Sequence, residues 1–174
     1  MFRLRRLFDD VLLVNKMAIA QVQDILRSQF PGVPEDEIAS LPDRLRNPLR
    51  YGFRSMLIVA DDLQGRVKGF ALLLHAPDLQ FCYLDYISVA RPGMGRGVGG
   101  ALYERVREEA LALGTVGVFF ESLADDPEVC KKPELLRQNA ARLRFYERYG
   151  ARPIVNTAYE TPVRPDSECP PYLV

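Results

Sequence analysis

Apolar positions along the chain change their spacing several times, and each change predicts an element. Residues 2–7 mix apolar and basic side chains over the length of a short first strand. Asp9 and Asp10 then offer a cap and negative charge at a helix start. Val11, Val14, Met17, Ala18, Val22, Ile25 and Leu26 recur at helical spacing up to Phe30, where Pro31-Gly-Val-Pro34 breaks the run. Residues 35–51 read as a shorter helix or two, interrupted by Pro42 and Pro48. Apolar runs follow at 55–60, 67–74 and 79–89, the first two joined by the turn signal Asp61-Asp-Leu-Gln-Gly65. Short links between successive strands predict an antiparallel meander.

Beyond Val89 the character changes. Residues 92–100 are a glycine-rich loop before a helix carrying Leu102, Val106, Ala110 and Leu113, closed by Gly114. Residues 116–120 form a buried-type strand ending at Glu121, and a strand–loop–helix–strand unit implies a parallel crossover pair. A polar insert, 123–138, precedes a helix over 139–149 stopped by Gly150. Residues 153–155 and 159–163 can form final strands, and 164–174, with Pro165, Pro170 and Pro171, reads as an irregular tail. One domain over 1–163 plus that tail suits a chain of 174 residues.

Charge narrows the function classes. Basic and acidic residues both number 23, which argues against a general electrostatic grip on nucleic acid or an anionic membrane. Arg3, Arg5 and Arg6 read as a strand edge or solvated face. No apolar run reaches transmembrane length and no apolar leader follows the start, so a cytoplasmic location is expected. Cys82, Cys130 and Cys169 are far apart without a Cys-x-x-Cys, so neither a disulfide nor a metal site is expected. The single histidine, His75, closes an apolar run as a strand-end surface residue, which leaves a Ser-His-Asp triad without a base. The apolar ending Tyr172-Leu-Val is of the kind expected where a chain continues into a further domain, and a homodimer is also open.

The glycine loop carries the most specific chemistry. Glycines before a helix let backbone N–H groups approach an anion closely, the helix N-terminus adds partial positive charge, and Arg96 adds a charged donor. A pyrophosphate is the natural ligand. Gly95, Gly97 and Gly100 satisfy G-x-G-x-x-G with Glu121 about 20 residues beyond, so a dinucleotide-binding oxidoreductase is a rival. Against it, three sheet strands precede the loop, Ala90 to Met94 separate it from the strand, and too little chain follows to complete a doubly wound sheet. A P-loop is excluded, since no Gly-Lys-Ser/Thr follows.

Residues 87–102, Ile-Ser-Val-Ala-Arg-Pro-Gly-Met-Gly-Arg-Gly-Val-Gly-Gly-Ala-Leu, resemble the acetyl-CoA motif of the GNAT superfamily of N-acetyltransferases. Gly97 and Gly99 fall on its two small positions, while Met94 stands where the family has Gln or Arg. A second stretch resembles the family's other signature through Asn139, Tyr146 and Gly150, with Arg142 in place of an alanine and Ala151 in place of a phenylalanine. Gly69-Phe-Ala-Leu suits the family's hairpin. The resemblance covers most of the chain and implies an α/β (α+β) fold: a mixed, mostly antiparallel central sheet with helices on both faces.

By that resemblance the chain transfers an acetyl group from acetyl-CoA to a primary amine of a small molecule or protein, in a ternary complex and without a metal. Main-chain groups around Ile87, Ser88 and Val89 hold the pantetheine arm and polarise the thioester carbonyl. Met94, Gly95, Arg96, Gly97, Val98, Gly99 and Gly100 hold the pyrophosphate, and Asn139 joins the cofactor site. Tyr146 is the candidate acid for the leaving thiolate. Asp85 and Glu121 are the candidate bases, directly or through water, Asp85 because its strand parity matches Ile87 and Val89; each reads equally as a buried partner for an arginine or backbone group. Tyr83 and Tyr86 read as packing or, alternatively, as polar liners of the site. Acids in two segments, Glu35, Asp36 and Glu37, then Asp125, Asp126 and Glu128, read as solvated loop charge, diluted by Lys131 and Lys132, or as a setting for a cationic amine. A non-catalytic acyl-CoA-binding regulatory domain is the other alternative.

Overall fold

The computed structural model describes residues 1–90, 97–155, 157, 159 and 169–174. The three apolar runs become the middle of a sheet. β1 (Arg3–Leu7), β2 (Arg54–Asp61), β3 (Val67–Ala76) and β4 (Phe81–Val89) pair antiparallel in chain order, with β5 (Val118–Phe119) beyond β4. At the start of β4, Val116 N–H donates to the Gln80 carbonyl and Cys82 N–H to that of Gly117, the parallel step the crossover requires.

Alternation along the strands feeds two faces. Leu57, Val59, Phe70 and Leu72 turn to α1 (Leu13–Gln29) and α2 (Glu35–Arg46), joining Ile19, Val22, Leu26, Ile38 and Leu41 in one buried cluster. Their neighbours Met56, Ile58, Ala71 and Leu73 are also fully buried, on the face where α4 (Val98–Ala112) packs against β2, β3 and β4. Gly69 of β3 permits that packing. A Cβ there would come within 2.7 Å of the Ser88 carbonyl oxygen, 3.1 Å of Leu102 Cδ1 and 3.2 Å of Val98 Cγ1. The chain divides into two compact units, Met1–Val118 and Phe119–Val174.

Several expectations are corrected. α1 begins at Leu13 with Leu12 as an uncapped N-terminal residue. Asp9 accepts the Val11 N–H in the turn before the helix, and Asp10 pairs with Arg46 at 3.3 Å, so neither caps it. Val11, Val14 and Met17 are exposed, because α1 meets the core only from Ala18 onward. Pro42 does not interrupt α2. Lacking an N–H, it releases the Ile38 carbonyl four residues back, and Gln23 Nε2 donates to that oxygen at 2.9 Å. Pro48 opens a short helix, α3 (Pro48–Tyr51). Leu79 belongs to a 3-10 turn (Pro77–Leu79) before β4. Arg3 and Arg5 of the edge strand β1 share buried Asp61, at 2.9 and 2.7 Å, and Arg6 pairs with Glu109 at 2.7 Å, so the expected strand edge is ion-paired rather than simply solvated.

The second unit departs furthest from expectation. Pro133 starts a helix, α5 (Pro133–Glu147), inside the supposed insert. Residues 171–173, expected as irregular, form β7 (Pro171–Leu173), antiparallel to β6 (Glu121–Leu123). Phe120 and Val174 extend this pairing by exchanging backbone bonds at 3.1 and 2.9 Å. Ile154 contributes one bond, to the Leu173 carbonyl, rather than a strand, and residues 160–163 lie outside the described residues. Cys130 and Cys169 form a disulfide across a separation of 39 residues. Their wide spacing hid the proximity that β6–β7 pairing creates. Among the described residues no helix is long and apolar enough to cross a membrane.

Candidate active site

In the first unit the site begins where the glycine loop ends. Gly97 adopts φ 76°, a left-handed conformation suited to glycine, and hands the chain to α4. Among the described residues no side chain caps this helix, and no acid occupies its first turn, so the partial positive charge at its start is not offset there. Val98 is buried against β3 and β4, and Gly99 faces Val89, whose Cγ2 would lie 3.6 Å from an added Cβ. Gly100 continues the first turn. Met94, Gly95 and Arg96, expected to complete the anion cradle, lie outside the described residues.

β4 supplies the main-chain edge. Ala90 N–H donates to the Lys68 carbonyl at 2.8 Å, so by alternation the main-chain groups of Ile87 and Val89 turn away from β3. Gln29, the last residue of α1, fastens this end. Its amide donates to the Val89 carbonyl at 3.2 Å, while the Ser88 hydroxyl donates to its side-chain oxygen at 2.6 Å. Sequence reasoning missed Gln29, because a polar residue at a helix end carries no signal of its long-range partner.

A bulge changes the reading of Asp85. Leu72 pairs with Tyr86 but Leu73 pairs with Leu84, leaving Asp85 as the extra residue. The parity argument therefore fails at this point: Asp85 does not share a face with Ile87 and Val89. It turns with Tyr86 toward α2, where Arg44 Nη2 meets its carboxylate at 3.0 Å. Arg44 is almost fully buried and also lies 3.7 Å from Glu37, which accepts the Tyr86 hydroxyl at 3.0 Å. Burial, then the charges of Asp85 and Glu37, push that hydroxyl well above the usual tyrosine range, so it stays a donor. Tyr86 also packs edge-on against Phe30, at 5.1 Å between centroids. Glu37, Leu41 and Arg44 share a helical face, the periodic signal that could have exposed the cluster.

At the far end of β3, His75 lies opposite Arg54. Burial, then the Arg54 charge, holds it below the usual histidine range.

The second unit holds the remaining candidates. Tyr146 is 6% exposed, with its ring 4.4 Å from Phe120 and 5.1 Å from Phe145. Asn139, expected at the cofactor, is buried and donates to the Ala124 carbonyl at 2.8 Å, with the Cys130 sulfur at 3.9 Å. In the described structure its amide ties α5 to the strand before it. Glu121 is exposed at the start of β6 and accepts the Tyr159 hydroxyl at 2.5 Å.

A family model described as the acetyltransferase (GNAT) family matches residues 19–151. No curated protein matches the chain by sequence. Among solved structures, Escherichia coli ElaA aligns with a TM-score of 0.64 at 14% identity, over 99% of each chain. A Desulfovibrio desulfuricans protein described as a GNAT-family acetyltransferase aligns at 0.66 and 18% identity, over 99% of this chain and 96% of that one. The catalytic domain of Tetrahymena GCN5 histone acetyltransferase, in complex with coenzyme A, aligns at 0.63 and 12% identity, over 99% and 91%. At such identities the likeness shows the fold: a mixed, mostly antiparallel sheet with flanking helices.

Proposed function

Because the chain belongs to the GNAT acetyltransferase family, we propose that it moves an acetyl group from acetyl-CoA to a primary amine of a small molecule or protein, by direct attack in a ternary complex. The observation that carries the reading is the uncapped start of α4, preceded by the glycine loop and seated beside the end of β4. Its N–H groups and dipole suit the pyrophosphate of coenzyme A. The main-chain groups of Ile87 and Val89, turned away from β3, suit the pantetheine arm and a thioester carbonyl that gains negative charge during attack. The bound coenzyme supplies an activated acyl group and a thiolate leaving group. Tyr146 is the acid that returns a proton to that thiolate.

Calorimetric titration with acetyl-CoA, with NADH in parallel, tests the cofactor. One-site binding of acetyl-CoA alone is expected, followed by thiol release when a panel of amines is added. Binding of NADH instead of acetyl-CoA overturns the reading. Acetyl-CoA binding without thiol release from any amine turns it into that of a non-catalytic acyl-CoA-binding domain.

A further inference from the structure

The two faces of β4 carry different chemistry. α4 and its glycine-bearing start lie on the face of Gly69 and Val89, the side from which the proposed reading holds the cosubstrate phosphates. The opposite face is the one covered by α1 and α2. Onto it the β4 bulge turns Asp85 and Tyr86. We propose that Glu37 is a further catalytic residue of the acetyl transfer, the base that takes the proton of a cationic acceptor amine. The proposal rests on the acetyl-transfer reading above.

The three carboxylates differ in what holds them. Asp85 is fastened to Arg44, whose side chain is 9% exposed. Glu121 is taken up by Tyr159 in the other unit. Glu37 is held by one oxygen only: Oε1 accepts from Tyr86 at 3.0 Å and lies 3.7 Å from Arg44 Nη1. Its Oε2 accepts no hydrogen bond from the described residues, and its side chain is 39% exposed, at the rim of the cluster. The groups facing it are Arg44 of α2 and Asp85 and Tyr86 of β4, while Leu26 of α1 and Val33, between α1 and α2, line the same small cavity with apolar surface. One guanidinium against two carboxylates leaves a negative charge unbalanced, which an acceptor ammonium completes. Tyr86, retaining its proton, fixes the orientation of Glu37 without competing for the transferred proton.

The step balances. The ammonium gives one proton to Glu37 Oε2, and the nitrogen lone pair forms the N–C bond to the thioester carbonyl carbon. The tetrahedral adduct expels sulfur with the C–S electron pair, and the second amine proton reaches the thiolate. The products are the amide and the free thiol, and the proton on Glu37 leaves to solvent.

Glu37→Gln is compared with wild type on an alkylamine, protonated at neutral pH, and on an alkoxyamine, neutral at the same pH, with acetyl-CoA binding measured by calorimetry. For the alkylamine, kcat is expected to fall about 100-fold or more. For the alkoxyamine the loss is expected to be far smaller, and acetyl-CoA affinity to be unchanged. Equal losses for both amines, or a wild-type kcat on the alkylamine, overturn the assignment. Glu37→Asp, which keeps a carboxylate, is expected to recover part of the alkylamine rate; no recovery in a folded protein counts against a base. A wild-type protein that turns over no amine sinks the acetyl-transfer reading itself, which separates the two failures.

Discussion

In the first unit, buried apolar side chains run without a break along residues 56–60 of β2 and 70–73 of β3, and helices cover them from both sides. In the second, the buried positions Phe120, Ala124, Cys130, Leu143, Tyr146 and Val174 are scattered among polar residues. Individual ties accompany them: the Cys130–Cys169 disulfide, the Asn139 amide on Ala124, and the three-residue ladder of β6 with β7. A short segment buries too little apolar surface to order itself by area alone, so specific bonds carry more of its order. The same contrast holds for the candidate residues within each unit: Gly97 and Val98 adjoin the buried sheet of the first, while Tyr146 of the second sits among a few specific bonds.

The comparison can be broken or sharpened by mutation. Phe70→Ala removes a fully buried ring from the first unit and is expected to cost about 3–5 kcal/mol in denaturant unfolding. If it costs no more than a surface change, the apolar core is not what holds that unit. In the second unit, Cys169→Ser opens a cross-link spanning 39 residues, worth about 4 kcal/mol on loop-closure entropy. Mass spectrometry with and without reductant checks that the bond exists, and amide exchange at Ser122 and Leu123 reads the loosening.

Smaller effects test individual contacts. Gly69→Ala sets a Cβ against backbone at Ser88, and overpacking of this kind is expected to cost about 1–3 kcal/mol. Because α4 is displaced, acetyl-CoA affinity should fall with it in the same titration. Asn139→Ala leaves the Ala124 carbonyl without its donor, at about 1–2 kcal/mol, with faster amide exchange around Asn139 in the middle of α5 as the readout. If acetyl-CoA affinity falls while exchange is unchanged, Asn139 serves the cofactor rather than the fold.

Acidification gives the smallest change near neutrality. Burial works to raise the Asp61 value, but hydrogen bonds from Arg5 and Arg3 outweigh it, and the folded value lies below the usual carboxylate range. The stability it contributes is therefore complete above the unfolded value, about 4, and is lost as pH falls through the lowered folded value. Asp61→Asn should flatten the acid side of a stability-against-pH curve. An unchanged acid limb would show that the β1–β2 ion pairs contribute nothing.

The helix start after the glycine-rich residues was legible because its information is local: Gly97 opens α4 through its own backbone conformation and the residues that follow it. The meander was legible for the same reason, through run lengths and turn residues. Asp85 was misread because a bulge belongs to a pair of strands, and nothing within residues 81–89 marks where β3 shifts register. Pro42 was misread because its compensation, Gln23, comes from another helix.

The sequence by itself determined the order of elements through α4, the antiparallel meander, the helix after the glycine loop and the family, since periodicity, turn chemistry and motif spacing act over a few residues. Tertiary structure alone decided that Arg44 takes Asp85 and that, among the described residues, Glu37 is held through one oxygen. It also decided that Gln29 closes the end of β4, and that Cys130 meets Cys169. These outcomes depend on which long-range partners arrive at hydrogen-bonding distance. Such distances follow from strand register and helix packing, which no single segment specifies.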